Sequence, residues 1–225
     1  LGVQETKARP KQLSEALLNP KGYHVHFHSA EKKGYSGTAI FSKEKPLRAS
    51  TGFGNSRFDS EGRVTEAEFE DFILLNIYFP NGGRGEERLK YKLDFYDATY
   101  KHVEKLKKRG KPVITMGDYN TAHKPIDLAF PEKNEDVSGF MPVERAWLDK
   151  WIKSGQVDIF RKFCQDPDKY TWWDMRIRAR DRNEGWRIDY HFVTEDLVPK
   201  VKNDDIHPDV MNSDHCPISL ELDIK

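Results

Sequence analysis

Cysteine is scarce: Cys164 and Cys216 are the only two in 225 residues. They show no paired spacing, which excludes a disulfide framework and leaves two reduced thiols packed in or near the core, neither expected to be catalytic. Net charge is missing as well. Lys plus Arg and Asp plus Glu stand at 37 each, so no global field attracts nucleic acid and any basic surface is local. No apolar run approaches membrane-spanning length, and the N-terminus has no charged-then-apolar signal pattern. The expectation is a soluble, intracellular protein without a membrane partner. Repeats, low-complexity tracts and linker-like composition shifts are also lacking, so one domain over 1–225 is expected. The chain has no initiator Met: Leu1-Gly2-Val3-Gln4-Glu5 enters in mid-strand, as though the N-terminal part of the domain were incomplete.

What is present reads as strands and helices in mixed order. Leu1 to Val3 end a strand, and 11–19 carries Leu13, Ala16 and Leu17 at helical spacing before Pro20 and Gly22. Tyr23-His24-Val25-His26-Phe27-His28 alternates strictly, which puts three histidines on one face. Alternate strand positions lie about 7 Å apart, too far to close a zinc tetrahedron unaided, so a polar outer face is expected. A strand is expected over 37–42, and 63–69 pairs with 72–79 across Glu70-Asp71. The second member of that pair is apolar on both faces and so belongs in the centre of its sheet. In 86–109 the residues Leu89, Leu93, Tyr96, Tyr100 and Val103 fall at intervals of four, three, four and three, a helix packed on a sheet. A second helix is expected over 142–154, and the alternation after Cys216 marks a half-buried terminal strand. Antiparallel runs with helices between them point to an α+β fold.

Polar side chains gather at the predicted strand ends. Val113-Ile114-Thr115-Met116-Gly117 reads as a buried strand leading into Asp118-Tyr119-Asn120. If the chain stays extended, Asp118 and Asn120 point to one side, a carboxylate and a carboxamide facing one spot. Such a pair suits a phosphodiester: the carboxylate takes a proton from water and the amide donates to an oxygen gaining charge. An Asx-rich turn is the competing reading. Glu5 follows the first strand as a metal ligand or a surface carboxylate. Tyr78 leads into Pro80-Asn81-Gly82-Gly83-Arg84-Gly85, a phosphate-approaching loop or a plain long turn. Trp172, Trp173, Arg176, Arg178, Arg180, Arg182 and Trp186 interleave guanidinium and indole, which fits a nucleic-acid surface or core aromatics beside a solvated charged loop. Asp189, and then Asp214 with His215, add two acids and an imidazole at further strand ends.

Together the segments Gln4-Glu5-Thr6-Lys7, Tyr78-Phe79-Pro80-Asn81, Gly117-Asp118-Tyr119-Asn120-Thr121-Ala122-His123, Ile126-Asp127-Leu128, Trp186-Arg187-Ile188-Asp189-Tyr190 and Ser213-Asp214-His215-Cys216-Pro217-Ile218 resemble, in order and across the whole chain, the exonuclease III family of apurinic/apyrimidinic endonucleases. The resemblance implies a four-layer α/β/β/α sandwich of the endonuclease/exonuclease/phosphatase type, with deoxyribonuclease I-like folding. It implies magnesium, with manganese as a substitute, held chiefly by Glu5 with Asp118, Asn120 and Asp214 close by. Asp118 would deprotonate the attacking water and Asn120 would place it and stabilise the charged transition state. His215, made more basic by Asp189, would bind a phosphate oxygen. Tyr78 would contact the phosphate or assist the departing 3′ oxygen. Trp172, Trp186 and Ile188 would enclose an extrahelical abasic sugar, while Asn81, Arg84 and Arg176 would contact the DNA around it.

The implied activity is a nick 5′ to an abasic site leaving a 3′-hydroxyl, with 3′-to-5′ exonuclease and 3′-end cleaning. The partner would be double-stranded DNA with abasic or damaged 3′ ends, the protein a monomer of cytoplasm, nucleoid or nucleus. A phosphoesterase of the same fold acting on inositol phosphates or lipids, and a DNA-binding module with weakened catalysis, are the alternatives. Three features depart from the family pattern: a first strand bearing an asparagine is not included, Trp172 stands where some members have phenylalanine, and Met211-Asn212 replaces a glycine before Ser213.

Overall fold

The computed structural model describes residues 1–224. Its strands are β1 (Gly2–Gln4), β2 (His24–His28), β3 (Thr38–Ser42), β4 (Arg48–Thr51), β5 (Val64–Glu68), β6 (Ile73–Tyr78), β7 (Val113–Asp118), β8 (Gln156–Asp158), β9 (Asp189–Thr194), β10 (Val201–Ile206) and β11 (Ile218–Leu222). The α-helices are α1 (Glu15–Leu18), α2 (Ser56–Asp59), α3 (Glu86–Lys107), α4 (Pro142–Lys153) and α5 (Ile159–Phe163). The chain falls into two compact units, one of Leu1–Phe79 with Asp97–Asp118, the other of Pro80–Tyr96 with Tyr119–Lys225. The helix α3 is divided between them. Among the described residues no helix is long and apolar enough to cross a membrane.

The first unit stacks two sheets. One is antiparallel in the order β1-β3-β2, and the other runs β4-β5-β6-β7, with β6 pairing antiparallel to β5 and parallel to β7. As its two-faced apolarity demands, β6 is flanked on both sides, with Ile73, Leu75 and Ile77 fully buried. Between the sheets Asn76 is the exception. Its amide donates to the carbonyls of Val3 (3.0 Å) and Ala39 (2.9 Å) and accepts from Gln4 Nε2 (2.5 Å), so a buried carboxamide is satisfied on every side and fixes β1 against β6. At the end of β7, Gly117 has φ of 129°, and a Cβ there would lie 2.1 Å from the Ile77 carbonyl. Only glycine lets the strand come this close before Asp118.

Two expectations are corrected in this unit, and one strand was not expected. The segment expected as a helix over 11–19 is a 3₁₀ turn (Pro10–Gln12) followed by the single turn α1, because three apolar positions and no buried partner give too little to sustain a longer helix. The histidine face of β2 is not an outer face: His28 Nδ1 bonds the Val64 carbonyl at 2.8 Å, and His26 Nε2 is buried. Burial, with His24 nearby, lowers the His26 pKa. The short strand β4, rich in small polar residues, had no periodicity to reveal it.

In the second unit, β8 pairs with β9 and β10 with β11, both antiparallel, and α5 packs on β9 and β10. Its core is aromatic: Tyr96 stacks on Trp147 (4.2 Å between centroids), Trp147 on Trp151 (5.1 Å), and Tyr119 meets Tyr190 and Phe192. Beside them lies a buried charge cluster. Arg187 donates to Asp127 (2.8 Å) and twice to Asp158 (3.1 and 2.6 Å), while Arg161 also reaches Asp127 at 2.9 Å. Cys164 and Cys216 are both free thiols, as expected, and burial pushes the Cys216 thiol up to about 12, which keeps it protonated at neutral pH.

Candidate active site

At the exit of β1 the backbone turns sharply. Glu5 and Lys7 take left-handed φ of 52° and 49°, conformations that non-glycine residues adopt at a cost, and Lys7 N donates to the Ser36 carbonyl at 2.7 Å. The turn brings the Glu5 carboxylate to the Tyr78 hydroxyl, which donates to it, and to the Lys7 ammonium 2.5 Å away. Tyr78 ends β6 directly opposite Asp118, the last residue of β7. Burial first, then the charges of Asp118 and Glu5, raise the Tyr78 hydroxyl far above its ordinary pKa. The phenol therefore stays protonated and donates to Glu5, with the Asp118 charge close by. Beneath it Arg63, 2% exposed, lies 4.5 Å from the Tyr78 ring and donates to the Tyr78 carbonyl at 3.0 Å.

In the second unit the site residues form three groups. Asn81 Nδ2 donates to Asn120 Oδ1 at 3.0 Å. Asn120 has φ of 51°, so of the two readings of this stretch, an extended alternation and an Asx turn, the turn is the one found: asparagine is among the few residues that enter the left-handed region readily. His215 Nδ1 donates to Asp189 Oδ2 at 2.9 Å, with Asp189 buried and His215 partly exposed. Trp172 and Trp186 exchange backbone hydrogen bonds, both 2.9 Å, and their rings meet edge to face at 6.4 Å. The two indoles pack on a cluster that contains Ile188, and Trp172 Nε1 donates to Asp214 Oδ2 at 3.1 Å.

The arginines are less gathered. Arg84 is exposed on its loop, and Arg176, also exposed, folds back on Asp174 through two side-chain bonds of 3.0 and 2.6 Å. Exposed pairs of this kind contribute little and open readily for another anion. Met175 and Ile177, flanking Arg176, are 65% and 60% exposed. A cavity of about 650 Å³ in this unit is lined by Phe160, Tyr170 and Asp204 among others, and by Trp173 and Arg180 of the expected indole and guanidinium stretch.

Sequence reasoning missed Arg63, Lys92 and Glu144. For Lys92 a signal existed: it lies three residues after Leu89 and four before Tyr96, on the helix's apolar stripe.

A divalent cation fits the donors of the first unit. Glu5 already holds a cation, the Lys7 ammonium, and its carboxylate shares the Tyr78 hydroxyl's surroundings with that of Asp118. Among the described residues no three His, Cys, Asp or Glu side chains gather as a metal cage. Two hard oxygen donors, with water completing the shell, are what magnesium accepts.

The chain belongs to the endonuclease/exonuclease/phosphatase family, whose model matches residues 1–215. It is 44% identical over 223 residues to an exodeoxyribonuclease of Bacillus subtilis, covering 99% of this chain and 87% of that one. It is 39% identical over 230 residues to a DNA-(apurinic or apyrimidinic site) endonuclease of Dictyostelium discoideum, covering all of this chain and 63% of that protein. The solved structure of an AP endonuclease from Archaeoglobus fulgidus superposes with a TM-score of 0.90 at 30% identity, covering 100% of this chain and 88% of the other. The expected fold type is therefore the one this chain has.

Proposed function

We propose that this chain is a metal-dependent DNA repair nuclease that cuts the phosphodiester 5′ to an abasic site, leaves a 3′-hydroxyl and also trims 3′ ends, and that 1–225 works as one nuclease domain. The observation that carries the reading is the Glu5–Tyr78–Asp118 grouping, a carboxylate bonded to a buried phenol whose neighbour on the next strand is a second carboxylate. The likeness to an exodeoxyribonuclease and to an apurinic or apyrimidinic site endonuclease supports the substrate.

In this reading Asp118 takes the proton of the attacking water, a role that needs an ionised carboxylate. Asn120, oriented by Asn81, donates its amide to the phosphoryl oxygen as charge builds there. Asp189 fixes the His215 ring through Nδ1, so Nε2 is the nitrogen that meets a phosphate oxygen. The Tyr78 hydroxyl donates towards the scissile group and cannot compete as a base. Glu5 would hold magnesium, or manganese in its place, and Asp118, Asn120 and Asp214 would act on its waters. When bound, the ion neutralises charge on the phosphate and the leaving oxygen.

Trp172, Trp186 and Ile188, which pack together, would receive a flipped-out sugar, and a nucleotide without a base loses stacking and pairing, so it leaves the duplex at least cost. Arg84, Arg176 and Asn81 contact the DNA backbone and grooves, and the duplex is bound by one copy of the protein inside the cell.

The test is a duplex with a single synthetic abasic site, incubated with magnesium and with chelator beside an intact duplex. Magnesium-dependent nicking on the 5′ side, with a polymerase-extendable 3′ end, is expected. Binding without nicking would support a DNA-binding module, and hydrolysis of inositol phosphates with neither event would move the substrate to another class.

A further inference from the structure

Three consecutive carbonyls after β7 are each taken by a side chain. The Tyr96 hydroxyl donates to the Tyr119 carbonyl at 3.1 Å, Lys92 Nζ to the Asn120 carbonyl at 2.7 Å, and the Tyr190 hydroxyl to the Thr121 carbonyl at 2.8 Å. The middle donor is unlike the other two. Lys92 is fully buried and paired at 2.5 Å with Glu144, which is itself 0% exposed. Glu144 in turn accepts from Ser138 Oγ (2.9 Å), Gly139 N (2.6 Å) and Met141 N (3.1 Å). Gly139 returns to the same segment, since its carbonyl accepts from Ala122 N at 2.8 Å and a Cβ on it would lie 3.1 Å from the Trp186 indole and 3.2 Å from the Asn120 carbonyl.

A buried ion pair is a poor way to add stability, because desolvating two charges offsets most of their attraction and an apolar pair of equal volume does as well or better. What an ammonium offers that a methyl group does not is a strong, directed bond to one carbonyl. Here that carbonyl belongs to Asn120, whose backbone is left-handed and whose side chain meets Asn81. We infer that Lys92, neutralised by Glu144, is a positioning residue: it holds the Asn120 peptide so that the side-chain amide faces the reacting phosphate, and through Glu144 and Gly139 it sets the wall on which Trp186 rests. This inference rests on the proposed nuclease function.

The test is a double-mutant cycle on nicking of the abasic duplex, with stability measured on every variant. Lys92→Met with Glu144→Gln removes both charges while the glutamine oxygen still accepts from the Gly139 and Met141 amides, and the variant is expected to fold with a thermal midpoint close to the parent's. Its kcat is nevertheless expected to fall at least tenfold with KM little changed, and Lys92→Arg, which keeps a donor, to recover part of the loss. In an Asn120→Ala background the same double change should cost no more than twofold. A double variant that is stable and fully active overturns the inference while leaving the nuclease reading intact, and so does an equal loss with and without Asn120. A parent chain that does not nick the duplex at all overturns the nuclease reading and this inference with it.

Discussion

Two groups of carboxylates in this protein are held in opposite ways. Asp127 and Asp158 in the second unit are gripped by the guanidinium groups of Arg187 and Arg161, and Asp127 and Arg187 are 0% and 1% exposed. Glu5 in the first unit, with its side chain 39% exposed, is held by a phenol and by a lysine that is itself 60% exposed. In the first arrangement every partner is rigid and planar, so the charge is spent on structure. In the second the partners are a neutral donor and a flexible ammonium, which an incoming cation can replace without breaking the fold. Acidity alone does not mark a site; the exchangeability of the partner does.

The largest effect expected from that contrast is on stability. Arg187→Ala leaves two buried carboxylates without their principal partner and should cost about 3–5 kcal/mol, read by chemical denaturation. An unchanged midpoint would show that the cluster is not structural. Next comes Tyr78→Phe, which should fold normally and lower the nicking rate roughly ten- to a hundredfold, since a hydrogen bond to a charged group is worth about 1.5–3 kcal/mol. Because the Tyr78 hydroxyl is raised well above its ordinary value, it stays protonated through about pH 10, and the parent's rate should show no alkaline loss that the phenylalanine variant lacks.

A smaller effect concerns acid. Burial pushes the Asp127 carboxyl up, but the Arg187 and Arg161 charges outweigh it and hold its pKa below the usual range. A carboxylate depressed in the folded state stabilises above its unfolded pKa of about 3.9 and loses that contribution as pH falls through the folded value. Thermal midpoints measured from pH 6 to pH 2 should drop more steeply for the parent than for Asp127→Asn. The smallest change is Arg176→Ala, expected to leave the rate at saturating DNA unaltered and to reduce the salt slope of binding by about one.

Much of this was legible beforehand, and unevenly. The central strand β6, the pair it makes with β5, the helix α3 and the terminal strand β11 follow from periodicity because each buries a continuous face. The pairings of Asn81 with Asn120, Asp189 with His215, and Trp172 with Trp186 join residues from 14 to 39 positions apart; the family resemblance suggested the second and third, and nothing suggested the first. The turn at Asn120 was one of two open readings, since extended and turned chains share the same letters there. Lys92 left a signal, its place on an apolar stripe, but its counter-ion, Glu144, lies 52 residues away and could not be paired with it from the sequence.

The measurement closest to the central claim uses Asp118→Asn. Single-turnover nicking of a duplex with one abasic site should fall by about 10²–10⁴-fold, the usual contribution of a general base, while affinity for the uncut duplex is retained. Nicking at the parent's rate would contradict the assignment of Asp118 as the group that activates water.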